Sequence, residues 1–193
     1  MTLRRFGALF LAFVVLVFGI AVGRVIRSPV GPPPSPHVVN DVTQLNPIIV
    51  NDEIAPTTTE EISEAVRRHA GPISIGGARH SMGGQTATPG ALYIDTRRLS
   101  AIVDFSPADR TITVQAGATW RQIQERIDTS NLSVMIMQTY ANFTVGGSLS
   151  VNAHGRYVGL GPIIRSVKSL KVVLADGSLV EASPATRPEL FYG

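Results

Sequence analysis

The chain has 193 residues, 17 basic and 14 acidic side chains, and no cysteine. This length suffices for one domain with a hydrophobic core, and the lack of cysteine excludes disulfides, thiolate metal sites and cysteine nucleophiles. Four of the arginines flank the first apolar stretch: Arg4, Arg5, Arg24 and Arg27. Without these four, the rest of the chain has 13 basic and 14 acidic residues. This nearly neutral balance gives no reason to predict nucleic-acid binding.

The first 27 residues predict an N-terminal transmembrane helix. Residues 6–23 carry no charge and are almost wholly apolar, and as a helix they would span roughly 27 Å, close to the hydrocarbon thickness of a bilayer. The small residues Ala21-Val22-Gly23 also fit a signal cleavage site, so an anchor and a cleaved signal both stay open. We therefore expect a membrane-anchored domain in the periplasm or elsewhere outside the cytoplasm, or a secreted one after cleavage.

Prolines dominate the next segment, SPVGPPPSP. Proline at this density excludes helix and central strand, so residues 28–45 are predicted to be a stiff spacer and residues 46–193 a folded domain.

Helix and strand signals alternate in the first half of this domain. Thr58 lies three residues before Glu61, a capping-box spacing that predicts a helix start, and the stretches PISIG, ALYIDTRRL, AIVDF and RTITVQAGA predict strands. Thr119 and Gln122 repeat the capping-box spacing before a short helix, on which Trp120 is predicted to pack in the core. The pattern predicts the α+β class.

The second half carries one strong turn signal. LSVMIM is apolar and favours a strand, and Asp176-Gly177 between two β-rich runs predicts a hairpin.

Two glycine-rich segments hold the candidate chemistry: ISIGGARHSMGGQT (residues 73–86) and YANFTVGGSLSVNAHGRYVGLG (residues 140–161). A helix is predicted to begin after the glycine pair of the second segment, where backbone N–H groups suit a pyrophosphate. Neither segment matches a P-loop or a dinucleotide fingerprint. From the residues alone, one anionic ligand held from two sides and plain turns of a compact domain are both open.

Four motifs in order identify a family. GARHSMGGQ, VQAGATWRQI, FTVGGSLSVNAHG and ELFYG resemble flavoproteins of the vanillyl-alcohol oxidase and p-cresol methylhydroxylase (PCMH) type, from about residue 46 to 193. The pattern HSxxGQ is similar to cytokinin dehydrogenases, and NAHG to alditol and aldonolactone oxidases. The resemblance implies a PCMH-type FAD-binding domain of two α/β subdomains with the cofactor between them.

The resemblance also implies which residues contact FAD. Family members often link a histidine at the position of His80 covalently to the flavin, and a hydrogen bond alone is the alternative. Arg79 is expected to face phosphate or to be a surface arginine, and His154 to lie near the flavin. The implied cofactor-binding residues are Gly76, Gly77, Ala78, Arg79, His80, Ser81, Gln85, Thr144, Gly146, Gly147, Ser148, Ser150 and His154.

The implied activity is that of an FAD-dependent oxidase or dehydrogenase that takes a hydride from a CH–OH or CH–NH carbon of a small-molecule substrate. Family members continue beyond the ELFYG motif into a substrate domain, so this chain is expected to supply the flavin-binding half. A membrane-tethered flavin-binding module without turnover and a cell-wall sugar oxidase are alternatives. No metal site is predicted, because the four histidines are scattered.

Overall fold

The computed structural model describes residues 14, 15, 19 and 37–193. Residues 37–193 make one compact unit. The predicted transmembrane segment therefore lies, apart from Val14, Val15 and Gly19, outside the described residues. Among the residues that are described, no helix is both long enough and apolar enough to cross a bilayer.

The folded unit alternates short strands and helices, which confirms the α+β class. Its elements in chain order are β1 (Val38–Val39), β2 (Ile48–Ile49), β3 (Asp52–Ile54), α1 (Thr59–Arg68), β4 (Ile73–Gly76), β5 (Leu92–Asp95), a 3-10 turn (Thr96–Arg98), β6 (Ile102–Ser106), β7 (Thr111–Val114), α2 (Trp120–Asp128), α3 (Val145–Ser150), a second 3-10 turn (Ile163–Ser166), β8 (Leu170–Val173), β9 (Leu179–Ala182) and α4 (Pro188–Tyr192).

A parallel three-stranded sheet, in the order β3-β5-β4, lies next to the first glycine-rich segment. All four residues of the central strand β5 are buried, as expected for a parallel strand covered on both faces. The antiparallel pairs are β1 with β2, β6 with β7, and β8 with β9. The last pair confirms the hairpin predicted at Asp176-Gly177, and Gly177 has the positive φ of 77° that this turn requires.

Two hydrophobic clusters form the core. One surrounds Trp120, Ile123 and Ile127 on the buried face of α2, which confirms the predicted packing role of Trp120. The other joins Val39 and Tyr93 with their neighbours in the first sheets. The division into two α/β subdomains stays a prediction, and these two clusters are the observation that supports it.

Three expectations need correction. Residues 37–45 belong to the folded unit, because β1 pairs with β2 and Val39 is fully buried, so the predicted spacer ends too late. LSVMIM was predicted as a strand but forms none. Its backbone bonds to a side chain instead of another strand, because Val134 N donates to Gln124 Oε1 of α2 (3.4 Å). Finally, α3 begins at Val145, before the glycine pair, because the Thr144 side chain caps it there.

Candidate functional site

The two glycine-rich segments meet in the structure. A Cβ added to Gly77 would overlap Thr144 Oγ1 and lie 3.1 Å from Thr144 Cβ. Only glycine allows this approach, because real Cβ atoms do not come so close to other heavy atoms. The first segment begins with β4, and Gly77 follows this strand directly, whereas Thr144 is the N-cap of α3. This contact brings the two segments together, as one ligand held from two sides would require. That interpretation stays a prediction.

Backbone N–H groups of the first segment have no internal acceptors. No described residue accepts a hydrogen bond from the backbone N–H of Ala78, Arg79, His80 or Ser81. Successive N–H groups of this kind form a concave donor surface for an anion. This part of the predicted site therefore offers donors that a ligand can take.

The first turn of α3 differs, because its backbone N–H groups are already bonded within the protein. A pyrophosphate held by these groups would have to share them with internal acceptors. The bonds run from Val145 N to Ala118 O (2.8 Å), from Gly146 N to Ala116 O (2.7 Å), from Gly147 N to Thr144 Oγ1 (3.3 Å) and from Ser148 N to Thr144 O (3.0 Å).

The Ser148 side chain is also committed internally. Its hydroxyl accepts a hydrogen bond from Trp120 Nε1 (3.0 Å) and donates one to Gln138 Oε1 (2.5 Å), and the residue is only 2% exposed. Ser150 is exposed, and its hydroxyl donates to Gly147 O (2.9 Å). Sequence reasoning missed Gln138, because no local signal links it to a serine ten residues further along the chain.

The Arg79 side chain is neither a free surface arginine nor an open phosphate ligand. It is 18% exposed, and its terminal nitrogen donates to Glu53 Oε1 (2.8 Å) and Asp95 Oδ2 (3.1 Å). Its Nε donates to the Tyr93 hydroxyl (3.1 Å). Both sequence interpretations of this side chain missed these partners, because they come from distant strands.

These charges change the ionisation of their neighbours. Burial opposes ionisation of Asp95, yet hydrogen bonds from Arg97 and the charges of Arg97 and Arg79 together lower the pKa of this carboxyl. Burial raises the pKa of the Tyr93 phenol, which keeps it protonated. The cluster is therefore a set of two guanidinium cations and two carboxylates, Glu53 and Asp95, around a neutral tyrosine.

Asp41 anchors the far end of the first segment, and sequence reasoning had placed it in the spacer. It is 1% exposed and accepts hydrogen bonds from Gly83 N (3.1 Å), Gly84 N (3.3 Å) and Asn46 Nδ2 (2.9 Å). Hydrogen bonds, first of all from the Thr43 side chain, hold the pKa of Asp41 well below its usual range. Its only local signal is a threonine two residues later, a common Asx-turn spacing.

Gln85 braces the same turn from within. With its amide oriented so that the nitrogen faces the carbonyls, Gln85 donates to Met82 O (2.7 Å) and Ser81 O (3.3 Å). A cofactor contact for Gln85 stays a prediction.

His80 sits among aromatic rings. Its ring centroid lies 5.0 Å from that of Tyr140 and 4.9 Å from that of Phe143, both at steep interplanar angles. The Nδ1 atom of His80 is buried and has no hydrogen-bond partner among the described residues. Because an unpaired buried polar atom is costly, such an atom in a native structure indicates a missing partner.

His154 lies apart from this arrangement. It is exposed, and its Nδ1 is 3.1 Å from Gly155 O. No ring contact between the described residues joins it to His80, so its place near a flavin stays a prediction.

Comparison with known proteins identifies the family. Residues 53–183 match the model of the FAD binding domain. The chain is 30% identical over 134 residues to alditol oxidase from a Streptomyces species (68% of this chain, 32% of that protein). It is 27% identical over 163 residues to cytokinin dehydrogenase 2 of Arabidopsis thaliana (81% and 32%).

A third relative is D-2-hydroxyglutarate dehydrogenase of Xanthomonas citri pv. viticola, 31% identical over 136 residues (67% of this chain, 29% of that protein). The chain thus spans about a third of the length of the curated relatives it matches. The family model covers both glycine-rich segments, Arg79, His80 and Thr144. The chain belongs to the FAD-binding oxidoreductases with a PCMH-type FAD binding domain, and its cofactor is FAD.

Proposed function

We propose that this chain is the flavin-binding part of an FAD-dependent oxidase or dehydrogenase that takes a hydride from a CH–OH or CH–NH carbon. One observation carries the proposal. The unpaired buried Nδ1 of His80 lies in a segment whose four consecutive backbone N–H groups, from Ala78 to Ser81, have no acceptor among the described residues.

These residues fit FAD. Backbone donors suit the pyrophosphate, because each N–H presents a partial positive charge without a flexible side chain. The aromatic rings of Tyr140 and Phe143 beside His80 suit a flat, largely apolar group such as a flavin ring. The chain therefore offers a polar end and an apolar end, as a dinucleotide with a flavin requires.

FAD, when bound, supplies the hydride acceptor of the reaction. The residues of this chain bind and orient it. Arg79 fixes the middle of the first segment and Asp41 its far end, and the contact between Gly77 and Thr144 fixes the second segment against it. A neutral His80 imidazole has a lone pair, so His80 is proposed as the point of covalent attachment.

The names of two relatives point to an oxygen-bearing carbon as the site of oxidation. An alditol and 2-hydroxyglutarate both carry hydroxylated carbons. We therefore place CH–OH oxidation first, with a small polyol, sugar or hydroxy acid as the proposed substrate class.

The membrane anchor and the location outside the cytoplasm remain part of the proposal. They rest on the apolar residues 6–23 alone, with secretion as the outcome of cleavage. A covalent flavin would suit that location, because an enzyme outside the cytoplasm cannot readily reload a lost cofactor.

Acid denaturation tests both FAD binding and the tether. The full chain is purified with FAD and denatured in acid, and the flavin absorbance that stays with the protein is measured. We expect retained absorbance in the wild type and its complete loss in His80→Ala. His69→Ala is the matched control, because His69 lies at the end of α1 and contacts Pro72 O (3.1 Å) instead of the aromatic rings.

Each result has a clear consequence. Release of the flavin from both wild type and His80→Ala would show that the protein binds FAD without a covalent link. A folded wild type that binds no flavin would contradict the proposed function.

A further inference from the structure

The backbone of Arg79 belongs to the first glycine-rich segment, but its side chain bonds to the neighbouring sheet. The guanidinium reaches the β3-β5-β4 sheet, where it bonds Glu53 of β3 and Asp95 of β5. These carboxylates stand on neighbouring strands, since β3 and β5 pair in parallel register. One side chain therefore fastens the glycine-rich segment to two strands at once.

The backbone of Arg79 needs such a fastening. Its φ is +58°, a left-handed conformation that strains a non-glycine residue and persists only where the surroundings impose it. Glycine would adopt this conformation without strain, yet the position carries an arginine with three side-chain partners. The Arg79 carbonyl is fixed as well, because it accepts a hydrogen bond from Val42 N (2.9 Å).

The charge of Arg79 is already neutralised. Two carboxylates, Glu53 and Asp95, surround its terminal nitrogen, and Arg97 pairs with Asp95 as well. The four groups sum to no net charge. An anion near the segment would therefore meet the free backbone N–H groups of residues 78–81 and no unpaired guanidinium.

We propose that Arg79 is a positioning residue for a diphosphate ligand: its ion pairs with Glu53 and Asp95 hold the backbone so that the N–H groups of residues 78–81 face the diphosphate. The guanidinium itself does not bind phosphate. This inference rests on the proposed FAD-binding function and adds how the diphosphate subsite is held in shape.

The structure allows a test that separates positioning from direct contact. Removal of the Glu53 carboxylate frees the guanidinium of a competing anion, so direct phosphate contact predicts that Glu53→Ala binds FAD as tightly as the wild type or more tightly. Positioning predicts weaker binding, because the segment loses an anchor. Arg79→Lys also separates the two, since lysine keeps the charge but lacks the planar fork that reaches several partners.

Dissociation constants of FAD, ADP and riboflavin are measured by fluorescence and calorimetry on the flavin-free full chain, beside thermal unfolding of each variant. Every protein in this comparison, including the one called wild type, carries His80→Ala, so that no covalent link to the flavin forms. We expect Arg79→Gly, Arg79→Lys and Glu53→Ala to weaken binding of FAD and ADP by at least about tenfold, the lower end of the loss seen when a residue that orients a metal ligand is removed. Riboflavin, which has no phosphate, is expected to bind these variants as it binds the wild type.

Arg110→Gly is the matched control, because Arg110 has the same left-handed backbone (φ 53°) in an exposed turn and no ion pair in the described part of the chain. It is expected to keep the wild-type affinity for FAD.

Wild-type affinity for FAD in Glu53→Ala and Arg79→Lys would overturn the inference while leaving FAD binding intact. An equal loss of riboflavin and ADP affinity would overturn it too, because the effect would then not be specific to the diphosphate. A wild type that binds none of the three ligands would overturn the proposed function and the inference together. Should Arg79→Gly fail to fold, the other two variants decide.

Discussion

The two glycine-rich segments look alike in sequence and differ in what their backbones do. In the first, the N–H groups of residues 78–81 have no acceptor among the described residues. In the second, the N–H groups of Val145 to Ser148 bond to Thr144, Ala116 and Ala118. One segment leaves its donors unbonded within the described residues, and the other uses its donors to attach a short helix to its neighbours.

Glycine therefore has a different structural role in each segment. In the second segment, a Cβ on Gly146 would lie 2.9 Å from Ala116 Cβ and 3.0 Å from Ala116 O, so glycine permits close packing. In the first, Gly83 and Gly84 have φ of 104° and 85°, so glycine permits a turn that directs N–H groups to Asp41. Glycine clusters alone therefore do not identify a ligand site. In the first segment, the unbonded N–H groups are the observation that supports the proposed one.

The largest effect should come from a substitution where the segments touch. In Gly77→Ala the new methyl group would overlap Thr144 Oγ1, so we expect a loss of about 3 kcal/mol in the free energy of unfolding. FAD binding should be lost at the same time, because the first segment must move. Denaturant unfolding and FAD titration measure the two effects.

A double-mutant cycle sharpens that prediction. Thr144→Ala removes the overlapping hydroxyl and the helix cap, at a cost of about 1 kcal/mol. The double variant should be less destabilised than the sum of the two single variants, because the second substitution relieves the overlap. Additive losses would mean that the segments do not touch at this point.

The second prediction concerns a side chain that faces inward. Ser148→Ala leaves Trp120 Nε1 without its acceptor and Gln138 Oε1 without its donor, so we expect a loss of about 1–2 kcal/mol in unfolding free energy. FAD affinity should stay within about twofold of the wild type, well under the tenfold that 1.4 kcal/mol represents.

Trp120→Phe is the matched variant, because it removes the same hydrogen bond from the other side. If Ser148→Ala keeps the wild-type stability but binds FAD much more weakly, this prediction is wrong. Ser148 would then contact the cofactor directly, as the resemblance implied.

Local signals predicted the caps and the hairpin, although LSVMIM forms no strand and α3 begins before its glycine pair. The Thr119 and Gln122 capping box forms as expected before α2. Thr58 caps α1, because its hydroxyl oxygen accepts a hydrogen bond from Glu61 N. The Glu61 carboxylate, however, accepts from Thr57 N (2.6 Å), whereas in a capping box it would accept from Thr58 N. The Asp176-Gly177 hairpin also forms. Such features depend on residues within a few positions of each other, which a sequence displays directly.

Long-range contacts account for what the sequence did not predict. Arg79 is bonded to residues 26 and 16 positions away, and Asp41 to glycines 42 and 43 positions away. The motif that contains Arg79 is visible in the sequence. Its partners on β3 and β5 are not, because they depend on the order of strands in the sheet. Asp41 was assigned to the spacer, because prolines nearby dominate the local composition.

The smallest effect we predict depends on pH and tests the anchor of the first segment. Because the folded state lowers the pKa of Asp41, ionised Asp41 stabilises the fold above its unfolded pKa of about 3.9. That contribution is lost as the pH falls through the lower folded-state value. Asp41→Asn should therefore melt a few degrees below the wild type at neutral pH, and the gap should narrow below about pH 4.

Asp176→Asn is the control, because the pKa of Asp176 is also lowered, first of all by a hydrogen bond from Ser178, yet Asp176 lies in an exposed turn away from both segments. Its melting gap should be smaller, and FAD affinity should not change. Asp41→Asn should weaken FAD binding slightly, since Gly83 and Gly84 lose the carboxylate that accepts their N–H groups. A gap that stays constant from pH 7 to 3 would show that Asp41 acts by shape alone, and the first segment would then depend on Arg79 for its electrostatic anchoring.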